Sequence, residues 1–269
     1  MTLCNETMGG ASLEIANGVA TIGFDRPAAR NAMLHRTWTT LASLVEAADA
    51  DSRVRVIVLR GSGGHFGSGN DIAEFGRLRS DPVAARQYGW AMANAMRAVD
   101  AASRPVIAAI QGSCYGASVA LALSADIRLA DSDARFAITP ANLGAVYLRS
   151  DHHRVVAAIG PGHARRMIFT AQALDSAKAQ SIGLIDEVAP PTEFETALAA
   201  LTQTISRGSP YTLHHSKRML RMAGGGGTPA ETEESIGWFV DAMEGPDFAE
   251  GVDAFLTKRS PRFSATVPR

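Results

Sequence analysis

Cysteine is scarce. Only Cys4 and Cys114 occur in 269 residues, and no C-x-x-C pair is present. A disulfide framework, a zinc ribbon and a thioredoxin-like redox site are therefore excluded. No sign of charge dominates either: 26 Lys and Arg stand against 27 Asp and Glu, a net charge of −1. Such a balance leaves neither a basic footprint for nucleic acid nor an acidic tail. No apolar run approaches the roughly 18 to 20 residues of a membrane helix. The opening MTLCNETMGG has no basic residue and no apolar core, unlike a secretory signal. The expectation is a soluble, reduced, cytoplasmic protein with no nucleic-acid or membrane partner.

Several motifs are also missing. The seven histidines, at 35, 65, 152, 153, 163, 214 and 215, form no H-x-x-x-H pair, and no metal site is expected. The glycine-rich stretch from Gly61 to Gly69 fails the dinucleotide fingerprint, because Phe66 occupies the third glycine position. It lacks the Gly-Lys-Ser/Thr of a P-loop, and no G-x-S-x-G nucleophile elbow occurs.

What is present is an ordinary globular composition, 46% hydrophobic and 20% charged, over a length suited to one large α/β domain. Asn17-Gly18 between Leu13–Ile15 and Val19–Phe24 predicts a β-hairpin. Met33 to Ala48 reads as a helix. Val54–Leu59 and Pro105–Ile110 read as strands buried on both faces. Pro82 to Ala101 and Ala117 to Leu123 read as helices, and Asp126 to Ala130 as a third strand. This order predicts right-handed crossover units. The second half shows helical patterns at 155–158, 164–169, 177–182, 195–205 and 212–223, split by Gly and Pro. Four glycines at 224–227 predict a loop before a helix at Glu231 to Met243.

Two segments share one plan. Val54–Leu59 runs into Phe66-Gly67-Ser68-Gly69-Asn70-Asp71-Ile72, and Val106–Ile110 into Gly112-Ser113-Cys114-Tyr115-Gly116-Ala117-Ser118. Turns at the carboxyl ends of parallel strands are where open α/β sheets bind ligands. Two backbone N–H groups, one per turn, are able to form an oxyanion hole. Ordinary tight connections explain the same spacing.

The segments FDRPAARNAM (24–33), HFGSGNDIAEF (65–75) and RPVIAAIQGSCYGASVALALSADIRLADSDARFAI (104–138) resemble the enoyl-CoA hydratase/isomerase (crotonase) superfamily. So do GPGHARRMIFTAQALDSAKAQSIGLIDEV (160–188) and EGVDAFLTKRSPRF (250–263). The resemblance covers nearly the whole chain. It implies an α/β fold, a crotonase-type ββα spiral over residues 1–200, with a C-terminal helical trimerisation region over 201–269. It further implies a homotrimer, or a hexamer built as a dimer of trimers, acting on an acyl-CoA thioester. No tightly bound cofactor is implied, since coenzyme A arrives as part of the substrate.

Carried over position by position, the oxyanion donors are the backbone N–H groups of Asn70 and Ala117. The Asn70 amide would then face the substrate or cap a helix beside Asp71. Coenzyme A is implied to contact the loop at Arg30 and Ala32, with Ser68, Asp71 and Ile72 along the same groove. Further substrate contacts fall on Tyr115, Gly116, Pro140, Leu143 and Leu148. Arg26, Arg30, Lys258 and Arg259 are possible phosphate partners. Ala73 replaces the family's common lysine.

The two glutamates of typical hydratases are replaced by Ala120 and Pro140, and Leu148 stands where some relatives carry an aspartate. Neither Ala120 nor Pro140 moves a proton, and hydration needs a positioned acid or base. Asp151 is the leading substitute, followed by Tyr147 and His152. Asp151 also fits a helix cap. Asp126 reads as the start of a strand. The resemblance implies an enzyme that stabilises a thioester enolate, hydratase-like by family default. The alternatives are an enoyl-CoA isomerase, an acyl-CoA hydrolase, or a catalytically inactive CoA-thioester binding protein.

Overall fold

A computed structural model describes residues 9–223 and 231–263. The four-glycine run at 224–227 and Cys4 lie outside the described residues. Asn17 and Gly18 both take positive φ, 51° and 81°, as a tight hairpin turn requires. They join β1 (Ala11–Ala16) to β2 (Val19–Phe24) with Ala16 opposite Val19. The next helix, α1 (His35–Ala50), starts two residues after the expected Met33. Met33 is instead drawn into a bridge with Asn70, donating to the Gly69 carbonyl and accepting from Asp71.

β3 (Val56–Gly61) is followed by α2 (Ile72–Leu78) and α3 (Pro82–Ala101), the latter with its expected limits. Next come β4 (Val106–Ile110), β5 (Ser113–Tyr115), α4 (Ala117–Ser124), β6 (Ile127–Asp131) and β7 (Arg135–Ala137). α5 (Pro140–Leu143), α6 (Arg149–Thr170), β8 (Leu174–Asp175), α7 (Ser176–Ser181), β9 (Glu187–Ala189) and α8 (Phe194–Ser206) continue the chain. α9 (Pro210–Ala223), α10 (Glu233–Glu244) and α11 (Pro246–Leu256) make the C-terminal region.

The main sheet runs β1-β2-β3-β4-β6-β9, and only β1–β2 is antiparallel. A smaller sheet runs β5-β7-β8, and Gly67 bridges to Cys114 at its edge. Successive turns of chain thus visit the main sheet, then the smaller layer, then a helix. This is the expected ββα spiral.

The unbroken apolar strands are explained by two covered faces. Ile57, Leu59, Ala108 and Ile110 join the large core with Trp38, Leu41, Met96 and Val99 of α1 and α3. The alternate residues Val56, Val58, Ile107 and Ala109 pack on Phe194 and Leu198 of α8.

Some expectations change. The patterns at 155–158 and 164–169 belong to one long element, α6, interrupted where Gly160 takes φ 70° before Pro161. β5, β7, β8 and β9 have two or three residues each, too few for alternation to show. The boundary expected at residue 200 falls inside α8, whose Phe194, Leu198 and Thr202 are buried. Asp126 does precede β6, and its carboxylate accepts from Val106 N–H at 2.7 Å. It also pairs at 2.7 Å with the buried Lys217 of α9, which donates to the Arg104 carbonyl at 3.0 Å. That contact ties the C-terminal helices to the core.

Candidate active site

The two glycine turns meet. Gly69 has φ 91°, and a Cβ there would lie 2.9 Å from the Tyr115 carbonyl oxygen and 3.2 Å from the Ala117 nitrogen. Only glycine admits both that φ and that approach. Ser118, buried in the mostly apolar α4, locks the junction by accepting from Gly69 N–H at 3.0 Å. The first turn ends at Asp71, whose carboxylate caps α2 through Ala73 and Glu74 and pairs with Arg26 at 2.9 Å. Burial pushes that carboxyl up, but Arg26 and the two N–H groups outweigh it, and the net is a pKa below the usual range.

These turns form part of the wall of a cleft of about 590 Å³, within the size range of small-ligand sites. Helices α2 and α3 and the segment from Thr139 to Leu148 supply the rest. Asn70 and Ala117 both line it. Among the described residues, no acceptor engages the backbone N–H of either. Polar groups so placed are usually satisfied by a partner, and here the cleft is what they can reach.

The Asn70 side chain neither caps a helix nor hangs free. Its Oδ1 accepts from Trp38 Nε1 at 2.9 Å and Tyr88 Oη at 3.3 Å. Its Nδ2 turns to Met92 Sδ at 3.4 Å. Trp38, Tyr88 and Met92 are site residues that sequence reasoning missed. They lie on the buried stripes of α1 and α3, so periodicity marks them only as core.

Ser68, Ile72, Gly116, Pro140, Leu143 and Leu148 line the cleft, as does Tyr147. Arg30, Ala32, Asp71 and Tyr115 do not. Arg30 and Ala32 lie beside it, because Ser68 donates to the carbonyls of Arg30 and Ala29 at 2.9 and 3.0 Å. Buried Asn31 clips this loop, donating to the Ser62 and His65 carbonyls. Arg26 is held by Asp71 and the Ala32 carbonyl. Arg259 is held by Glu250 and Asp253. Both are thus engaged within the protein. Arg30 and Lys258 have no ion pair among the described residues.

Asp151 does not line the cleft. It shares the inner stripe of α6 with Val155 and Ile159 and is 0% exposed. Its Oδ1 accepts from Arg154 at 3.1 Å, and Arg154 also binds Asp100 of α3. Its Oδ2 has no partner among the described residues. Burial pushes this carboxyl above the usual range, against the pull of Arg154. Asp151 is not a helix cap either: Leu148 holds that position, with no side-chain bond. His152 also lies off the cleft, its Nδ1 at 3.1 Å from the Leu148 carbonyl and its ring edge-to-face with Tyr147. Tyr147 Oη donates to the Gly116 carbonyl.

Among the described residues, the wall therefore carries no carboxylate and no imidazole. Its charged side chain is Arg79. Ala120 is fully buried in α4, and Pro140 lies on the wall. Among the described residues, no group of three or more His, Cys, Asp or Glu is placed to hold a metal, and no helix is long and apolar enough to cross a membrane.

Comparison with known proteins agrees with this architecture. The profile of the Enoyl-CoA hydratase/isomerase family matches residues 14–266. A 2,3-dehydroadipyl-CoA hydratase of Escherichia coli K12 is 29% identical, over 91% of this chain and 94% of its own. A methylmalonyl-CoA decarboxylase of the same strain is also 29% identical, over 78% and 81%. A crystal structure of an enoyl-CoA hydratase/isomerase family protein from Hyphomonas neptunium superposes with a TM-score of 0.92 at 35% identity, covering 97% of this chain and all of the other. With the spiral, the paired glycine turns and a match over almost its full length, the chain belongs to the enoyl-CoA hydratase/isomerase family.

Proposed function

We propose that this protein processes an acyl-CoA thioester, using the backbone N–H groups of Asn70 and Ala117 to stabilise a thioester enolate. The observation that carries this reading is the pair of cleft-lining donors with no acceptor among the described residues. Donors already aimed where negative charge develops need no reorganisation during reaction, and this is often the largest single contribution to rate. Coenzyme A would pass the loop at Arg30 and Ala32 beside Ser68. Isothermal calorimetry with acetoacetyl-CoA tests the reading. Binding is expected, with no comparable binding of free acetoacetate. No detectable binding at millimolar ligand overturns it.

Hydration is the family default, yet activating water and protonating the α-carbon require a positioned acid or base. The cleft wall offers Tyr88 and Tyr147 as its acidic hydroxyls, and burial pushes both phenols well above their usual range. Hydration of crotonyl-CoA is therefore expected to be weak, and rapid hydration would remove this argument. Isomerisation and hydrolysis meet the same objection.

The missing base favours a second reading, decarboxylation of a 2-carboxyacyl-CoA. Loss of CO2 leaves the electron pair of the broken C–C bond on the thioester as an enolate, and solvent then protonates the α-carbon. No protein base is required, and one relative is named a methylmalonyl-CoA decarboxylase. CO2 release from methylmalonyl-CoA, run beside the crotonyl-CoA assay, separates the two. Binding without turnover of either substrate leaves the inactive CoA-thioester binding protein.

A further inference from the structure

Each proposed oxyanion donor belongs to a peptide unit whose other end is a carbonyl. The Asn70 N–H shares its peptide with the Gly69 carbonyl, which accepts from Met33 N–H at 2.8 Å. The Ala117 N–H shares its peptide with the Gly116 carbonyl, which accepts from Val119 N–H at 2.9 Å and from the Tyr147 hydroxyl. Both donor peptides are thus bonded at the oxygen, and in the second a side chain does part of the bonding.

We propose that Tyr147 is a positioning residue which, through the Gly116 carbonyl, orients the Ala117 N–H and strengthens it as an oxyanion donor. This rests on the reading of that N–H as one of the two donors. The peptide group is a resonance unit. A donor on its oxygen withdraws density from its nitrogen, so the N–H beyond becomes a better donor, as in any hydrogen-bonded chain. Orientation matters equally. Gly116 has φ 53° and ψ −129°, a region where a side chain is disfavoured and glycine moves freely. The peptide plane at this point is set by what binds its oxygen.

Tyr147 suits this role and not that of a proton carrier. Its ring stands edge-to-face with His152 at 5.9 Å, which steadies it from the α6 side. Burial, reinforced by the nearby Asp151 carboxylate, keeps the hydroxyl protonated far above neutral pH. A permanently protonated hydroxyl facing a carbonyl is a constant donor.

The test reads the bound carbonyl directly. Difference infrared spectra are recorded for [1-13C]butyryl-CoA, free and bound, with the wild-type protein and Tyr147→Phe. The wild type is expected to lower the thioester C=O stretching frequency, and Tyr147→Phe to recover part of that shift. Turnover of whichever thioester reacts in the assays above should fall about tenfold with KM unchanged within about twofold, the size expected for one hydrogen bond acting in the transition state. 3-Fluorotyrosine at position 147, a stronger donor of the same shape, should increase the shift, and it serves if Tyr147→Phe fails to fold by circular dichroism. A wild-type shift unchanged in both variants overturns the role of Tyr147 and leaves the oxyanion reading intact. No shift in the folded, ligand-bound wild type overturns the oxyanion reading and this inference with it.

Discussion

At the scale of single residues, the cleft depends on atoms that are not side-chain functional groups. Ala117 supplies an N–H and a methyl, and it is the first residue of α4. Proline is tolerated at that helix position, because its missing N–H has no intrahelical partner there. Ala117→Pro therefore removes one proposed oxyanion donor with little cost to the helix. Turnover is expected to fall by about 10²- to 10³-fold, with the circular dichroism spectrum unchanged. A folded and fully active variant would show that the N–H takes no part. Gly69→Ala is different in kind, since its methyl would meet the Tyr115 carbonyl at 2.9 Å at a φ of 91°. Backbone strain of that sort costs on the order of 1–3 kcal/mol, and a lower denaturant midpoint is the expected result.

At the scale of elements, two helix junctions carry titratable contacts. Asp71 caps α2, one wall of the cleft, and its carboxyl is held below the usual range by Arg26 and by backbone N–H groups against the effect of burial. A depressed carboxyl stabilises the folded state above its unfolded pKa of about 4 and ceases to do so as pH falls through the folded value. Asp71→Asn keeps a competent cap, since asparagine caps as well as aspartate, but loses the Arg26 ion pair; it should cost no more than about 1 kcal/mol at neutral pH and flatten the acid limb of a stability-against-pH curve.

The junction of α9 and α10 has the same direction for another reason. His215 stacks on Tyr211 and Trp238, with ring centroids at 4.2 and 5.0 Å, and touches His214. Arg218 lies over Trp238, Asp241 faces His215 from α10, and Asp49 and Arg221 act on His214. Burial first, then neighbouring positive charge, lowers both imidazoles below the usual histidine range. The unfolded chain takes up these protons first, so the contribution is complete above about pH 6.5 and declines as pH falls below it. Stability measured from pH 8 to pH 5 should drop less in His215→Phe than in the wild type.

At the scale of the whole molecule, the C-terminal helices expose several large apolar side chains among the described residues. Phe239 of α10 and Phe255 and Leu256 of α11 are 60%, 84% and 73% exposed. Exposed large apolar side chains, where they adjoin in one patch, mark an interaction site. The homotrimer implied by the sequence resemblance is the expected occupant, alone or paired as a hexamer. Light scattering coupled to gel filtration should return three or six chain masses. Phe255→Asp should lower that value, and a wild-type monomer at micromolar concentration would reject the trimer.

Much of this architecture was legible in the linear chain because its signals are local. Asn17-Gly18 dictates a turn through two positive φ angles, and Pro82 and Asp81 mark the start of α3 by ring geometry and capping. The doubly buried strands follow from the apolar runs VIVL at 56–59 and VIAAI at 106–110. The two glycine turns were legible as turns and, through resemblance, as a candidate site. What the linear chain left undecided was direction in space. Asp151 and Tyr147 lie one helical turn apart in sequence, yet the period of α6 sends the carboxylate inward to Arg154, while Tyr147 lines the cleft and bonds Gly116. The Asn70 amide, expected to face the substrate or to cap a helix, is instead engaged by Trp38 of α1 and Tyr88 of α3. Local propensity chooses helices, strands and turns, because those depend on neighbours in the chain. Which side chain reaches the cleft depends on packing between elements far apart in sequence, and only the folded structure decides it.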